Sequence, residues 1–189
     1  MNNIFSNLDS SWTLFLDRDG VLNHEIKNDY IKSEEEMKPI IESIQSLSVL
    51  TDFFYKTIIV TNQKGVGKGL FTEEDLEKVN QKLINEIEKK GGKIDKLYYC
   101  TDIDNRSMYR KPNTGMAQLA QKDFPEIDFE KSIMIGDTLS DMLFAKRLKM
   151  KTVLIFSSIT PEQNISDNLV DYKFNNLQEF INIFLNEIN

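Results

Sequence analysis

Asp17-Arg18-Asp19-Gly20 follows directly on the apolar run Trp12-Thr13-Leu14-Phe15-Leu16. Two carboxylates two positions apart, at the carboxyl end of a buried strand, can both reach one crevice. Gly20 then lets the chain turn away at positive φ. In open α/β sheets that crevice is where ligands bind. The spacing suits a metal-assisted acid and nucleophile pair. It equally suits an Asp-rich turn closed by glycine, a common feature of any surface. The tetrapeptide alone does not choose between them.

The elements that must position the pair follow from hydrophobic periodicity. Residues 12–16 read as a strand. Residues 34–54 carry Met37, Ile40, Ile41, Ile44, Leu47, Val49 and Leu50 at near-helical spacing, which predicts that most of this stretch is one amphipathic helix. The β-branched run 57–60 is a strand. Thr72, three residues before Asp75, marks a capped helix start. That helix carries Leu76, Val79, Leu83, Ile84 and Ile87 and stops at Gly91-Gly92. Further strands are expected at 94–100, 132–135, 151–156 and 170–174, with helices at 114–122, 139–148 and 177–185.

This alternation predicts an α/β fold: a doubly wound, mainly parallel sheet, Rossmann-like, with helices on both faces in three α/β/α layers. No linker or internal repeat is visible, so 1–189 is expected to form a single domain. The loop 21–33 is too short for a separate cap domain, as is every other connection.

Composition bounds the chemistry. The chain has 189 residues, 40% hydrophobic and 28% charged, enough for a full core. A formal net charge of -7 offers no field to attract nucleic acid or an anionic membrane, so neither is an expected partner. An anionic substrate would need a local cluster of Lys, Arg or metal. Cys100 is the single cysteine and excludes an intrachain disulfide. The first eleven residues lack the pattern of a signal peptide, and no apolar run has membrane-spanning length. A cytoplasmic monomer is the expectation.

Polar residues recur at the predicted strand ends. The first strand ends at Asp17 and Asp19, and the second at Thr61-Asn62-Gln63. The loop after the third delivers Arg110-Lys111-Pro112. The fourth ends at Asp137, with Asp141 one helical turn later. Carboxylates, a hydroxyl and a Lys/Arg pair make a constellation for phosphate and magnesium. Mg²⁺ prefers a few carboxylate oxygens together with phosphate and water. Lys and Thr then neutralise the remaining phosphoryl oxygens.

These residues resemble, in order and over nearly the whole chain, the four motifs of the haloacid dehalogenase-like phosphohydrolase superfamily. They are Leu16-Asp17-Arg18-Asp19-Gly20-Val21-Leu22-Asn23, Val60-Thr61-Asn62-Gln63, Arg110-Lys111-Pro112 and Gly136-Asp137-Thr138-Leu139-Ser140-Asp141. Within it the chain looks most like the capless branch of heptose 1,7-bisphosphate and histidinol-phosphate phosphatases. The residues that match are Asp17–Gly20, 61–69, Tyr98-Tyr99-Cys100 and 110–116.

The resemblance implies a Mg²⁺-dependent phosphomonoesterase acting on a small phosphorylated metabolite, a sugar bisphosphate above all, with histidinol phosphate or another small phosphomonoester as the alternative. It implies that Asp17 attacks phosphorus and becomes an aspartyl phosphate. Asp19 would protonate the leaving alkoxide and then activate water. Asp17, the backbone carbonyl of Asp19 and Asp137 would hold the metal. Thr61 and Lys111 would hold the phosphoryl oxygens. Asp141 is either a further ligand or a group orienting Lys111 or water. Arg18 is expected to point away from the site.

Substrate contacts are expected from Asn62, Gln63, Lys68 and Arg110, whose planar guanidinium suits a second phosphate or a pair of sugar hydroxyls. The segment Lys64-Gly65-Val66-Gly67-Lys68-Gly69 is not a Walker A loop, because Gly67-Lys68 is followed by Gly69. It reads as a flexible loop bringing Lys64 and Lys68 toward a second anionic group, or as a plain solvated turn. Glu25 and Tyr30 occupy a stretch that contributes substrate contacts in the resembled family, at a spacing that differs here. The lone histidine, His24, is expected in solvent.

Two departures matter. In the resembled family the loop before Arg-Lys-Pro binds zinc through Cys-x-His and Cys-x-Cys. Here those positions are Cys100, Asp102, Ser107 and Tyr109. One thiolate and one carboxylate cannot make a structural zinc site, so no zinc is expected, and the loop is expected either to be ordered by packing, through Met108 and Tyr109, or to be mobile. The third residue of the fourth motif, often Lys in sugar-bisphosphate enzymes, is Thr138. The acidic charge argues against a nucleic-acid 3′-phosphatase. Asp19 argues against a receiver-like signalling module, which lacks that acid.

Overall fold

A computed structural model describes residue 5 and residues 7–157 and 165–188. Its centre is a six-stranded sheet: β1 (Thr13–Leu16), β2 (Lys56–Asn62), β3 (Lys96–Cys100), β4 (Ser132–Gly136), β5 (Lys151–Ile155) and β6 (Tyr172–Phe174). The strand order is β3-β2-β1-β4-β5-β6, and every pairing is parallel. The helices between strands are α1 (Ile41–Gln45), α2 (Leu47–Phe53), α3 (Lys64–Gly67), α4 (Glu73–Lys89), α5 (Gly115–Asp123), α6 (Leu139–Arg147) and the closing α7 (Leu177–Ile188).

The strands are apolar on both faces because both are covered. Leu14, Leu16, Ile59, Ile133, Ile135, Val153 and Ile155 face a core completed by α1, α2, α4 and α7. Phe15, Ile58, Val60 and Met134 face the opposite core, completed by Met116, Ala117 and Ala120 of α5 and Phe144 and Ala145 of α6. The expected three-layer doubly wound sheet is therefore present.

The strand order reverses between β1 and β4. Leu16, the last residue of β1, pairs with Ile59 on one side and Ile135 on the other, while β2 runs on to Asn62 and β4 to Gly136. Such a switch point opens a crevice beyond the carboxyl ends. Asp17 continues the ladder by donating its N–H to Ile135 O at 2.9 Å. Its side chain therefore starts at the crevice floor.

The stretch 34–54 differs from the single helix expected. Pro39 has no N–H to give a helix and disfavours helical geometry in the residue before it. The backbone there serves the loop after β1 instead: His24 N donates to Lys38 O at 2.9 Å and Ile40 N to Leu22 O at 2.9 Å. Helix begins only at Ile41 and breaks at Ser46, between α1 and α2. The stop at Gly91-Gly92 and the capping box of Thr72 with Asp75 follow the sequence reading.

Phe184 is fully buried and contacts the rings of Phe5, Phe53, Phe54 and Phe180. Phe184→Ala should lower unfolding free energy by about 3–5 kcal/mol, the usual cost of emptying such a site. Chemical denaturation monitored by circular dichroism would measure it.

Candidate active site

Gly20 shapes the first wall. Its φ is +81°, and a Cβ there would fall on the Asp137 carboxylate and the Ser157 hydroxyl. The turn after β1 can thus lie directly against the end of β4. Ser157 in turn donates to Asp137 Oδ2 at 2.7 Å.

Lys111 arrives from a long loop and is docked on the end of β2. Asn62 Nδ2 donates to Lys111 O at 3.0 Å, and Lys111 N donates to Asn62 Oδ1 at 3.0 Å. The Lys111 side chain is buried, and its Nζ lies 2.9 Å from Asp17 Oδ1, 2.6 Å from Asp141 Oδ1 and 2.6 Å from Val60 O. Three partners use all three ammonium protons.

Asp141 is fixed from its other oxygen. Its Oδ2 accepts from Thr138 N at 3.0 Å and Thr138 Oγ1 at 2.6 Å, closing a capping box at the start of α6. Both Asp141 oxygens are therefore engaged, one of them by Lys111. This geometry favours Asp141 as the group that orients Lys111. The Thr-x-x-Asp signal for that box stands in the sequence at 138–141, the same pattern as at 72–75.

Asp19 belongs to a second network. Its Oδ1 accepts from Asn23 Nδ2 at 2.8 Å and its Oδ2 from Gln63 Nε2 at 2.7 Å. Arg18, expected to point away, is buried and grips Asp19 in a fork, with Nη2 3.0 Å from each carboxylate oxygen. Arg18 Nη1 donates to Asn80 Oδ1 of α4 at 2.6 Å. Neither Arg18 nor Asn80 was singled out for the site by sequence. An arginine after a strand gives no signal of its burial, and Asn80 sits among apolar α4 residues 62 positions away.

The two networks push their carboxylates in opposite directions. Burial, then repulsion from Asp141 and Asp137, holds Asp17 well above the usual carboxylate range despite Lys111. Burial also acts against ionised Asp19, but the Arg18 charge and hydrogen bonds from Asn23 and Gln63 outweigh it and lower its pKa. For Lys111, burial is outweighed by Asp141 and Asp17, and its pKa rises.

Asp17, Asp19, Thr61, Asn62, Arg110, Lys111 and Asp137 line one cavity of about 230 Å³. Glu25, Thr138 and Ser140 complete it. Among the described residues, Arg110 Nη1 is a buried donor with no hydrogen-bond partner.

Two expected substrate contacts stand elsewhere. Gln63 is buried and spent on Asp19 and Thr61 Oγ1, the latter at 2.9 Å. Lys68 donates to Tyr30 OH at 3.0 Å and lies 5.2 Å above that ring. The reason is local: 64–67 is a turn of helix, not a flexible loop, and Lys64 is held on Asn105 Oδ1 at 2.8 Å.

The loop 101–113 is ordered differently from expectation. Met108 and Tyr109 are 56% and 39% exposed, so they do not anchor it. Its interior is polar. Ser107 Oγ donates to Asp102 Oδ2, and Cys100 Sγ lies 3.6 Å from Asp102 Oδ2. Asn113 Nδ2 donates to Ser107 O at 2.8 Å, and Gly115 N to Met108 O at 2.8 Å. Three of the four positions, Cys100, Asp102 and Ser107, thus meet as a hydrogen-bonded cluster, whose donor set does not fit zinc.

A hard divalent cation does fit the crevice. Asp17, Asp137 and Asp141 are buried, with ligand atoms all within 4.8 Å of one another. Asp17 and Asp141 share Lys111, and Asp137 adds a third buried carboxylate beside them, an excess of acidic groups in a desolvated place that a cation with oxygen ligands would neutralise.

Comparisons with known proteins agree with this geometry. A family model described as polynucleotide kinase 3 phosphatase matches residues 5–180. The D-glycero-alpha-D-manno-heptose-1,7-bisphosphate 7-phosphatase of Campylobacter jejuni is 34% identical over 175 residues, covering 90% of this chain and 94% of that one. The D-glycero-D-manno-heptose-1,7-bisphosphate 7-phosphatase of Chlorobaculum tepidum is 31% identical over 160 residues, covering 78% and 80%. Among solved structures, the D,D-heptose 1,7-bisphosphate phosphatase of B. bronchiseptica, complexed with magnesium and phosphate, superposes with a TM-score of 0.83. It is 25% identical and covers 93% of this chain and 99% of that one.

Because Asp17 titrates above its unfolded range, its contribution to stability is lost as pH rises through its folded pKa. Bound Mg²⁺ requires the ionised carboxylate and replaces that loss. Millimolar Mg²⁺ should therefore raise the melting temperature more at about pH 8 than at about pH 5. Differential scanning fluorimetry would check this, and equal shifts at both pH values would contradict it.

Proposed function

The chain belongs to the polynucleotide kinase 3 phosphatase family of haloacid dehalogenase-like hydrolases and is a phosphoric monoester hydrolase, and from that premise we propose the substrate and the residue roles. The substrate is a small sugar bisphosphate of the heptose 1,7-bisphosphate kind, hydrolysed with Mg²⁺ through an aspartyl phosphate. The observation that carries this reading is the convergence of Asp17, Asp19, Thr61, Lys111 and Asp137 on one cavity of about 230 Å³. That size suits a phosphate and a few carbons rather than a macromolecule.

Asp17 is the nucleophile. Asp17, Asp137 and the Asp19 backbone carbonyl are the residues that would hold Mg²⁺. The cation supplies positive charge that lets an anionic carboxylate approach an anionic phosphate. Thr61 orients the phosphoryl oxygens together with Lys111, whose proton on Asp17 passes to them as Asp17 turns to phosphorus, so that positioning and electrostatics lower the barrier.

As Asp17 bonds to phosphorus, the ester P–O bond breaks and its electron pair stays on the leaving oxygen. That oxygen takes the proton of Asp19. Asp19 then takes a proton from water as the water oxygen bonds to phosphorus. The bond from phosphorus to Asp17 breaks, returning the Asp17 carboxylate and releasing phosphate.

Arg110 reads the second phosphate. Its buried, unpartnered Nη1 at the cavity wall supports this. Asn62 acts through Lys111, whose backbone it clamps, and Gln63 acts through Asp19 and Thr61.

Asp17→Asn should abolish phosphate release in the presence of Mg²⁺. Phosphate liberated from a panel of sugar phosphates, sugar bisphosphates, histidinol phosphate and nucleotides measures it. Turnover retained in the variant would remove Asp17 from its role, and preference for histidinol phosphate would overturn the substrate assignment. On the same panel, Arg110→Met should raise KM for bisphosphates about tenfold or more while sparing monophosphates, as loss of a charge-assisted contact predicts.

A further inference from the structure

Asn80 is out of place on the inner face of α4. Its neighbours on that face, Leu76, Val79, Leu83 and Ile87, are all core residues, and Asn80 is only 6% exposed. A buried amide is costly unless it has a partner. Its partner is Arg18, whose Nη1 donates to Asn80 Oδ1 at 2.6 Å.

Arg18 is the bulkiest of the fully buried side chains, at 1% exposure. It is absent from the cavity lining, so it does not reach the substrate. Its remaining nitrogens go to one group. Nη2 is 3.0 Å from Asp19 Oδ1 and 3.0 Å from Oδ2, and Nε is 3.3 Å from Oδ1. Burying a guanidinium this way rarely raises stability over a well-packed apolar residue. What it does supply is a rigid fork with fixed direction.

We propose that Asn80 and Arg18 are positioning residues. A hydrogen-bonded chain running from the interior of α4 through Arg18 sets where the Asp19 carboxylate stands at the cavity. Asn23 and Gln63 hold the same carboxylate from its other sides, at 2.8 Å and 2.7 Å. Removing the Asn80 end lets the Arg18 fork turn, and Asp19 turns with it. α4 is thereby coupled to proton transfer without touching the substrate.

This inference rests on the reading of Asp19 as the group that protonates the leaving oxygen. The test uses the Mg²⁺-loaded enzyme and two substrates that differ in their need for that proton. The alkoxide leaving from glycerol phosphate needs it; the phenolate leaving from p-nitrophenyl phosphate does not. Asn80→Leu should lower kcat/KM on glycerol phosphate about tenfold, a fraction of what a general acid contributes, because kcat/KM reports only the steps through departure of the alcohol and leaves out the later attack of water, which both substrates share. Its kcat/KM on p-nitrophenyl phosphate should change far less. Equal losses of kcat/KM on both substrates, or no loss on either, would overturn the proposal. If Asn80→Leu does not fold, Asn80→Ser is measured on the same two substrates against the same criterion. Asp19→Asn separates the two layers. If it leaves glycerol phosphate turnover intact, the reading of Asp19 fails; if it abolishes turnover while Asn80→Leu behaves as wild type, only the positioning role fails.

Discussion

Lys111 Nζ touches Asp17 and Asp141 at once beneath the strand ends, and the site is built around that one ammonium group. A buried charge persists only where it is paired and hydrogen-bonded. Each partner is therefore fixed by a separate element. β1 carries Asp17 in register with β4, the capping box of α6 holds Asp141, and Asn62 at the end of β2 clamps the Lys111 backbone. Loss of any one would leave uncompensated charge in a desolvated place. The capping box has two duties at once, since it starts α6 and aims the carboxylate that pairs with Lys111.

Asp17 and Asp19 stand two residues apart in surroundings that differ in kind. Asp17 sits among like charges and is driven toward protonation, while Asp19 sits in a fork of donors and is driven toward ionisation. The proposed reaction needs each in the opposite form in its first step. A divalent cation against Asp17 and a phosphate dianion beside Asp19 shift each in the needed direction, since an opposite charge favours ionisation and a like charge disfavours it.

Legibility varied with how local the cause was. The capping box at Thr72 and the helix stop at Gly91-Gly92 depend on neighbours in sequence, and both were readable there. The helix expected over 34–54 was not, because Pro39 and hydrogen bonds to Leu22 and His24 decided it. Apolar spacing alone cannot report a backbone already engaged elsewhere. Lys68 looked free to meet a phosphate until Tyr30, from another loop, took its ammonium. The loop 101–113 lacked zinc ligands in sequence, and only the fold showed Asp102, Ser107 and Asn113 closing it with hydrogen bonds.

The amino-acid sequence by itself determined the sheet class, the strand ends and the set Asp17, Asp19, Thr61, Lys111 and Asp137. Alternating apolar runs set the layers, and polar residues at the ends of buried strands have one crevice to enter. Tertiary structure alone decided which carboxylate answers to which cation. Arg18 turned inward because Asn80, distant in the chain, offered a buried acceptor. Asp141 was given to Lys111 because Thr138 had already taken its other oxygen. Pairing of buried charges depends on distances across the fold, and no spacing along the chain records them.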